Sequence, residues 1–338
     1  MAVGTHRGRV IAAFIAVYLI WGSTYLGIRF AIETIPPFTL SAARFGLAGL
    51  IMFAAAKATG ATGVTLPEFR TAAIVGSLLM LANSLVGVAE KRIPSGIAAL
   101  LVAMTPLFMV LLEWARPGGH RPTWLVALGL AIGLGGVATL VGPGSFTGSG
   151  DGIDLIGAGT VIFGCLAWSS GSIYSRHAPR PTSGLMTAGI QMLAGGVFVG
   201  VIGVARGELA TFDPSGISMR SFLAWLYLLV FGSLIAYTAF VYLLRVSTPA
   251  RVATYAYVNP VVAVILGWLF GGESISARML VAGAIIVAGV AIITAAEGRA
   301  PQERPTRLSF RAEPRSGAGE ESPRLVIPSE GEESPSSR

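Results

Sequence analysis

The apolar positions of this chain come in long runs rather than in alternation with polar ones. Ten runs can be drawn, near 10–29, 36–56, 68–88, 94–113, 122–141, 154–174, 182–204, 220–243, 249–270 and 277–296. Each is close to the ~20 residues that a helix needs to cross a bilayer core. Runs of that length predict an all-α integral membrane protein with ten transmembrane helices. Strands of a membrane barrel would be shorter and would alternate strictly. Prolines open many of the runs (Pro36, Pro67, Pro94, Pro122, Pro181, Pro249), where the first helical turn loses nothing by the missing N–H. The first run is too long for a secretory signal, lacks a small-x-small cleavage site and is followed by nine more.

The runs also repeat. Pro106, Trp114 and Gly129 recur as Pro260, Trp268 and Gly283 at one offset, 154. The last of each set lies in a glycine-spaced helix, LVALGLAIGLGGVATLV (125–141) and LVAGAIIVAGVAIIT (280–294). Upstream, Trp21 matches Trp168, Leu47-Ala-Gly49 matches Leu193-Ala-Gly195, and Gly76-Ser-Leu78 matches Gly232-Ser-Leu234. The order is kept and the offset drifts only where a loop lengthens, which marks a duplicated unit. The expected organisation is a short cytoplasmic N-terminus (1–9), a first repeat (10–141), a linker (142–153), a second repeat (154–297) and a tail (298–338). Each repeat holds five spans, an odd number, so the second must enter the membrane upside down relative to the first. Inverted repeats around a midplane site are a mark of secondary transporters, because two halves that exchange conformations give an inward-open and an outward-open state. The plainer alternative is that duplication only built a larger bundle.

Composition agrees with the pattern. The chain is 53% hydrophobic and 12% charged, outside the range of a soluble globular domain. With the tail set aside, Lys and Arg on alternate loops number 10 on the side of the N-terminus and 6 on the other, a bias that predicts both termini in the cytoplasm. The tail, rich in Pro, Ser, Glu and Arg, has too few large apolar residues to offset the entropy of ordering and is expected to be disordered.

The stretch VYLIWGSTYLGIRFAIETIPPFTLSAARFGLAGL (17–50), the helices around Pro106 and Pro260, and Gly272-Glu273 together resemble the EamA-type permeases of the drug/metabolite transporter (DMT) superfamily, most closely the YedA-like bacterial exporters. The resemblance covers residues 10–297. It implies ten helices in two inverted five-helix EamA repeats and the export of small metabolites or drugs. The first repeat departs from the second where Glu273 would be matched, since that position holds Gly119. Whatever the glutamate does, it is not duplicated.

Candidate chemistry lies in polar residues where lipid would penalise them. Arg44 falls eight residues into the second span, and a cation at the bilayer centre costs about 2.5–3.5 kcal/mol on the insertion scale. It is therefore expected to face the interior or a water-filled cavity, as a counter-charge for a carboxylate-bearing substrate or as a gate partner. The alternative is a structural arginine that snorkels outward or pairs with Glu33 or Glu90. Its counterpart in the second repeat is Ile190, with Gln191 beside it. A second group is aromatic and amide-rich: Tyr18, Trp21, Tyr25, Asn83, Trp168, Gln191, Tyr237, Tyr255, Tyr257 and Asn259. Spacings of three and four put Tyr18, Trp21 and Tyr25 on one helical face and Tyr255 with Asn259 on another. The substrate-binding candidates drawn from these are Trp21, Tyr25, Arg44, Asn83, Trp168, Gln191, Tyr237, Tyr255 and Asn259, lining a cavity for an amphipathic metabolite. The competing reading, an interfacial aromatic belt, fits Tyr18 and Trp225 best. Pro106 and Pro260, well inside their spans, are candidate hinges, against the alternative of static kinks.

Other functions lack their residues. Cys165 is the one cysteine, and His6, His120 and His177 lie outside or at the edge of the runs, so neither a metal nor another cofactor is expected. The serines at 169, 170 and 172 have no histidine in any run to activate them, which argues against an intramembrane enzyme. There is no phosphate-binding loop for ATP, and no loop long enough for a receptor or scaffold. The expected partners are a small-molecule substrate and the lipid bilayer, not nucleic acid; a homodimer is compatible with the sequence. Glu33, Glu90, Glu113 and Asp154 all fall at span ends, which leaves proton antiport and facilitated diffusion both open.

Overall fold

In the computed structural model the described residues are 2–119, 121–142, 153–247, 252 and 254–297, and every regular element among them is helical. The linker beyond Gly142 and up to residue 152, most of 248–253 and the tail from 298 lie outside the described residues. The helices are α1 (Ala2–Ala31), α2 (Pro37–Ala58), α3 (Leu66–Ala89), α4 (Ser95–Val102 and Thr105–Ala115), α5 (Trp124–Val141), α6 (Leu155–His177), α7 (Gly184–Ala205), α8 (219–246), α9 (Tyr255–Phe270) and α10 (Ala277–Glu297). Nine of them contain a stretch long and apolar enough to cross a membrane; α9 is apolar but has only 16 described residues.

The starts of the helices follow from local chemistry. Thr65 and Glu68 form a capping box on α3, and Thr123, Asp154, Ser183 and Ser218 each accept a main-chain N–H at the start of α5, α6, α7 and α8. Two helices are capped instead from elsewhere in the chain. α2 and α4 begin behind Pro36 and Pro94, and their free N–H groups are taken by glutamates from the other half of the chain. Glu208, in a single helical turn between α7 and α8, accepts from Phe38 N (3.3 Å) and Thr39 N (2.8 Å). Glu273, between α9 and α10, accepts from Ser95 N (2.6 Å) and Gly96 N (3.1 Å). Each carboxylate thereby sits at the positive end of a helix dipole.

α2 lies along α7 and α5 along α10; α3 packs on α6 as α8 packs on α1; α4 packs on α6 as α9 packs on α1; and α4 crosses α9. Exchanging α1–α5 for α6–α10 turns each of these contacts into another of the set or into itself. Two of the interfaces depend on bare backbone. A Cβ on Gly76 of α3 would lie 2.0 Å from the Gln191 carbonyl oxygen of α7, and one on Gly289 of α10 would lie 2.6 Å from Gly133 N of α5. Such small-residue contacts let helices approach where lipid gives no hydrophobic drive for association. Outward positions hold large apolar side chains such as Leu19, Leu50, Phe163, Val197 and Val281, which is the surface a hydrocarbon solvent requires.

The repeat is not kept in detail. α4 is interrupted at Ala103 and Met104, and Pro106 opens its second piece. α9 runs unbroken through Pro260. The two candidate hinges therefore occupy unequal settings, one at a break and one within a continuous helix.

Candidate functional site

The polar side chains of the interior gather where α1, α2, α3 and α8 meet. Arg44 of α2 is 4% exposed. Its Nε donates to Ser233 Oγ of α8 at 2.8 Å, and its Nη1 donates to Asn83 Oδ1 of α3 at 3.3 Å. The guanidinium carbon lies 4.7 Å from the centre of the Phe45 ring, a cation–π distance. Its Nη2 faces Gly232, where a Cβ would be only 2.9 Å away. Among the described residues no carboxylate pairs with it. Glu33 is paired instead with Arg220, at 3.2 Å, and the Glu90 carboxyl has no hydrogen-bond partner among the described residues. Arg44 is thus a buried cation with neutral partners only, the condition that draws an anion.

Gly232 and Ser233 lie in Leu228–Ile235, a stretch of α8 wound as a π-helix. Such winding takes main-chain carbonyls out of the α-helical ladder and is concentrated at functional sites. The carbonyl of Gly232 accepts from Trp21 Nε1 of α1 at 3.2 Å. Next to it stands an aromatic group. The Trp21 ring centre is 5.1 Å from Phe240 and 5.2 Å from Tyr255, the second edge-on, and Tyr237 lies 6.3 Å from Phe240. Tyr237 donates its hydroxyl to Gln191 Oε1 of α7 at 3.2 Å. With the Asn259 amide nitrogen turned toward its acceptors, it donates to the carbonyls of Tyr255 and Tyr18, each at 3.2 Å. Trp21, Arg44, Asn83, Gln191, Tyr237, Tyr255 and Asn259 therefore join into one connected region.

Two of the nine sequence candidates stand apart. Tyr25, one turn beyond Trp21, packs against the core cluster to which most of the helices contribute. Trp168 is half-buried on α6, and its indole makes no hydrogen bond or ring contact with the others. The structure adds Gly232, Ser233 and Phe240, which sequence reasoning passed over. A faint signal existed, since Gly232-Ser233 repeats Gly76-Ser77.

Side-chain ties between helices concentrate at one end of the bundle. Besides the Glu208 and Glu273 contacts, that end holds Arg92–Asp154 (3.2 Å, α3 to α6), Arg220–Glu33 (3.2 Å, α8 to α1) and a bond from Arg29 Nη1 to the Glu90 carbonyl (α1 to α3). The Asp154 carboxyl is held below the usual carboxylate range, first by the Gly157 N–H and then by Arg92. At the opposite end the described ties between helices are fewer: Glu113 to His177 (3.7 Å), the Tyr18 hydroxyl to that of Thr254, and the Tyr257 hydroxyl to the Val290 carbonyl (3.2 Å). Two grooves, of about 730 Å³ between α2, α3 and α7 and about 400 Å³ between α1 and α8, are lined largely by apolar side chains, and neither is lined by Arg44.

A multi-span helical bundle of two related halves, with an uncompensated cation and an aromatic–amide group at their junction, is the form of a membrane transporter. The chain belongs to the EamA-like transporter family, whose profile matches residues 8–142 and again 155–295, bearing out the resemblance read from the residues. The inner membrane transporter YedA of Escherichia coli strain K12 is 40% identical over 287 residues, covering 84% of this chain and 90% of its own length. A probable terminal-alkyne amino-acid exporter of Streptantibioticus cattleyicolor is 27% identical over 289 residues, covering 84% of this chain and 93% of its own. A chain of known crystal structure shares the fold with a TM-score of 0.58 at 23% identity, covering 85% of this chain and 96% of that one.

Proposed function

We propose that the protein is a secondary transporter that exports small amphipathic metabolites bearing a carboxylate, amino-acid-like compounds foremost, by alternating access across the bacterial cytoplasmic membrane. The observation that carries this reading is Arg44, buried with neutral partners only and set beside an aromatic group. Its charge calls for an anionic group on the substrate, while Trp21, Phe240 and Tyr255 suit an apolar body. The name of the Streptantibioticus relative, an amino-acid exporter, agrees with that substrate class.

The architecture that goes with this function is ten crossings, α1 to α10, arranged as two inverted five-helix repeats with both termini in the cytoplasm. Support comes from the two family matches, from helix contacts that survive exchange of the halves, and from the Lys and Arg bias of the loops. A receptor, scaffold or enzyme would not need such an exchange. The test is counterflow in proteoliposomes with labelled amino acids, nucleosides and lipophilic cations, with and without a pH gradient. Accumulation of the carboxylate-bearing members is the expected result. Accumulation of lipophilic cations alone, or of nothing by protein shown to be folded, would overturn the reading.

A further inference from the structure

A second buried ionisable group lies away from Arg44. Glu90 follows the last residue of α3 and is 0% exposed, and among the described residues neither carboxyl oxygen has a hydrogen-bond partner. Arg29 bonds to the main-chain carbonyl of Glu90 and not to its carboxyl. Two other elements face the group. α1 brings Arg29 and Tyr25, and the α9–α10 connection brings Glu273. On its own element Lys91 is exposed and Arg92 is engaged by Asp154. The hydroxyl of Ser95, at the start of α4, is also buried without a partner.

A carboxylate deprived of water and of every donor is strongly disfavoured, whereas a neutral carboxylic acid is not. Burial first, and the negative Glu273 second, hold Glu90 well above the usual carboxylate range, against the opposing pull of Arg29. Glu273 cannot relieve it, because both its oxygens are committed to Ser95 N and Gly96 N. A charge on Glu90 would press against the Glu273 contact, which helps to fasten α9–α10 to the start of α4.

We propose that Glu90 is a proton-binding site, and that its protonation is the condition for closing this end of the bundle. In the closed arrangement the proton rides on the Glu90 carboxyl. When Glu273 leaves the start of α4 and water enters, the Glu90 O–H bond breaks and its proton passes to water on that side. The electron pair stays on the carboxylate, which then faces Arg29. Closing runs the same step backwards, so one proton is taken up from that side before the carboxyl is buried. The sign follows from linkage. The closed form binds the proton more tightly, so acid favours closure. Between the two pKa values each unit rise in pH multiplies the open-to-closed ratio about tenfold. The proposal rests on the transport reading only for what the closure serves; the proton site stands on its own geometry.

Two measurements on the full chain in lipid test it. Infrared difference spectroscopy should find the carbonyl stretch of a buried carboxylic acid at neutral pH in wild type, absent in Glu90→Gln and retained in Glu273→Gln. Spin labels at exposed Lys91 and Ser274 should move apart as pH rises in wild type and stay at the closed distance at every pH in Glu90→Gln, with Glu90→Asp restoring the response. Glu90 ionised at neutral pH, or a Glu90→Gln protein that opens with pH as wild type does, would overturn the proposal. Neither readout needs a substrate. If both hold while wild type fails every counterflow assay, the transport reading falls and the proton site remains.

Discussion

At the level of single residues, the site is defined by what a guanidinium lacks. Arg44 has two directed bonds, to Ser233 and Asn83, a ring beneath it and no carboxylate partner among the described residues. Lysine would keep the charge but not the planar fork, so Arg44→Lys should slow counterflow about tenfold or more, since a hydrogen bond to a charged group contributes roughly 1.5–3 kcal/mol. Ser233→Ala removes one such bond and should raise KM more than it lowers kcat, as read from the concentration dependence of uptake. Equal activity of both variants with wild type would take the function away from this pair. Arg44 and Asn83 were legible in the sequence because a charge or an amide is conspicuous inside an apolar run. Ser233 was not. A serine in a membrane helix can return its hydroxyl to its own backbone, as Ser84 does to Met80 O and Ser170 to Leu166 O, each at 2.8 Å. Nothing local says that Ser233 instead faces an arginine on another helix.

At the level of the elements, the lengths of the apolar runs and their opening prolines were enough to locate the helices, but not their irregularities. The π-helical stretch of α8 and the break in α4 answer to partners on other helices, so the sequence of either span alone does not specify them. Duplication even misleads here, since it suggests that Pro106 and Pro260 act alike. Pro106→Ala should let α4 run through the break and slow turnover severalfold with little change in substrate affinity, whereas Pro260→Ala, within a continuous helix, should change turnover less. Single-turnover and equilibrium binding measurements separate the two, and equal effects would remove the distinction. The glycine contacts give a stability test. Gly76→Val drives a side chain into the Gln191 carbonyl, and overpacking of this kind costs about 1–3 kcal/mol or more. Its unfolding temperature in detergent should fall clearly below that of wild type; an unchanged value would mean that α3 and α7 do not meet at that point.

For the molecule as a whole, two facts pull in different directions. The pairing of helices survives exchange of the halves, yet the glutamates that cap α2 and α4 both come from the second half and both act at one end. Gly119 opposite Glu273 in the repeat already announced that asymmetry, though not its purpose. If the halves are inverted as proposed above, a device present in only one half makes the two ends of the bundle unequal, and here it fastens the end that also carries Glu90. Arg44 breaks the symmetry in the same way, with Ile190 as its counterpart. The helical membrane fold could thus be read from pattern and the family from the resemblance of particular stretches, whereas the connected site needed the packing of six helices to become visible. The central claim is that this packing surrounds a substrate at Arg44. It is tested most directly by counterflow of a labelled carboxylate-bearing amino acid into liposomes holding equal amounts of folded wild type or Arg44→Ala. The expected outcome is transient accumulation by wild type and a rate at least about tenfold lower in the variant, the loss of one charged contact. Equal rates in the two proteins would contradict the claim.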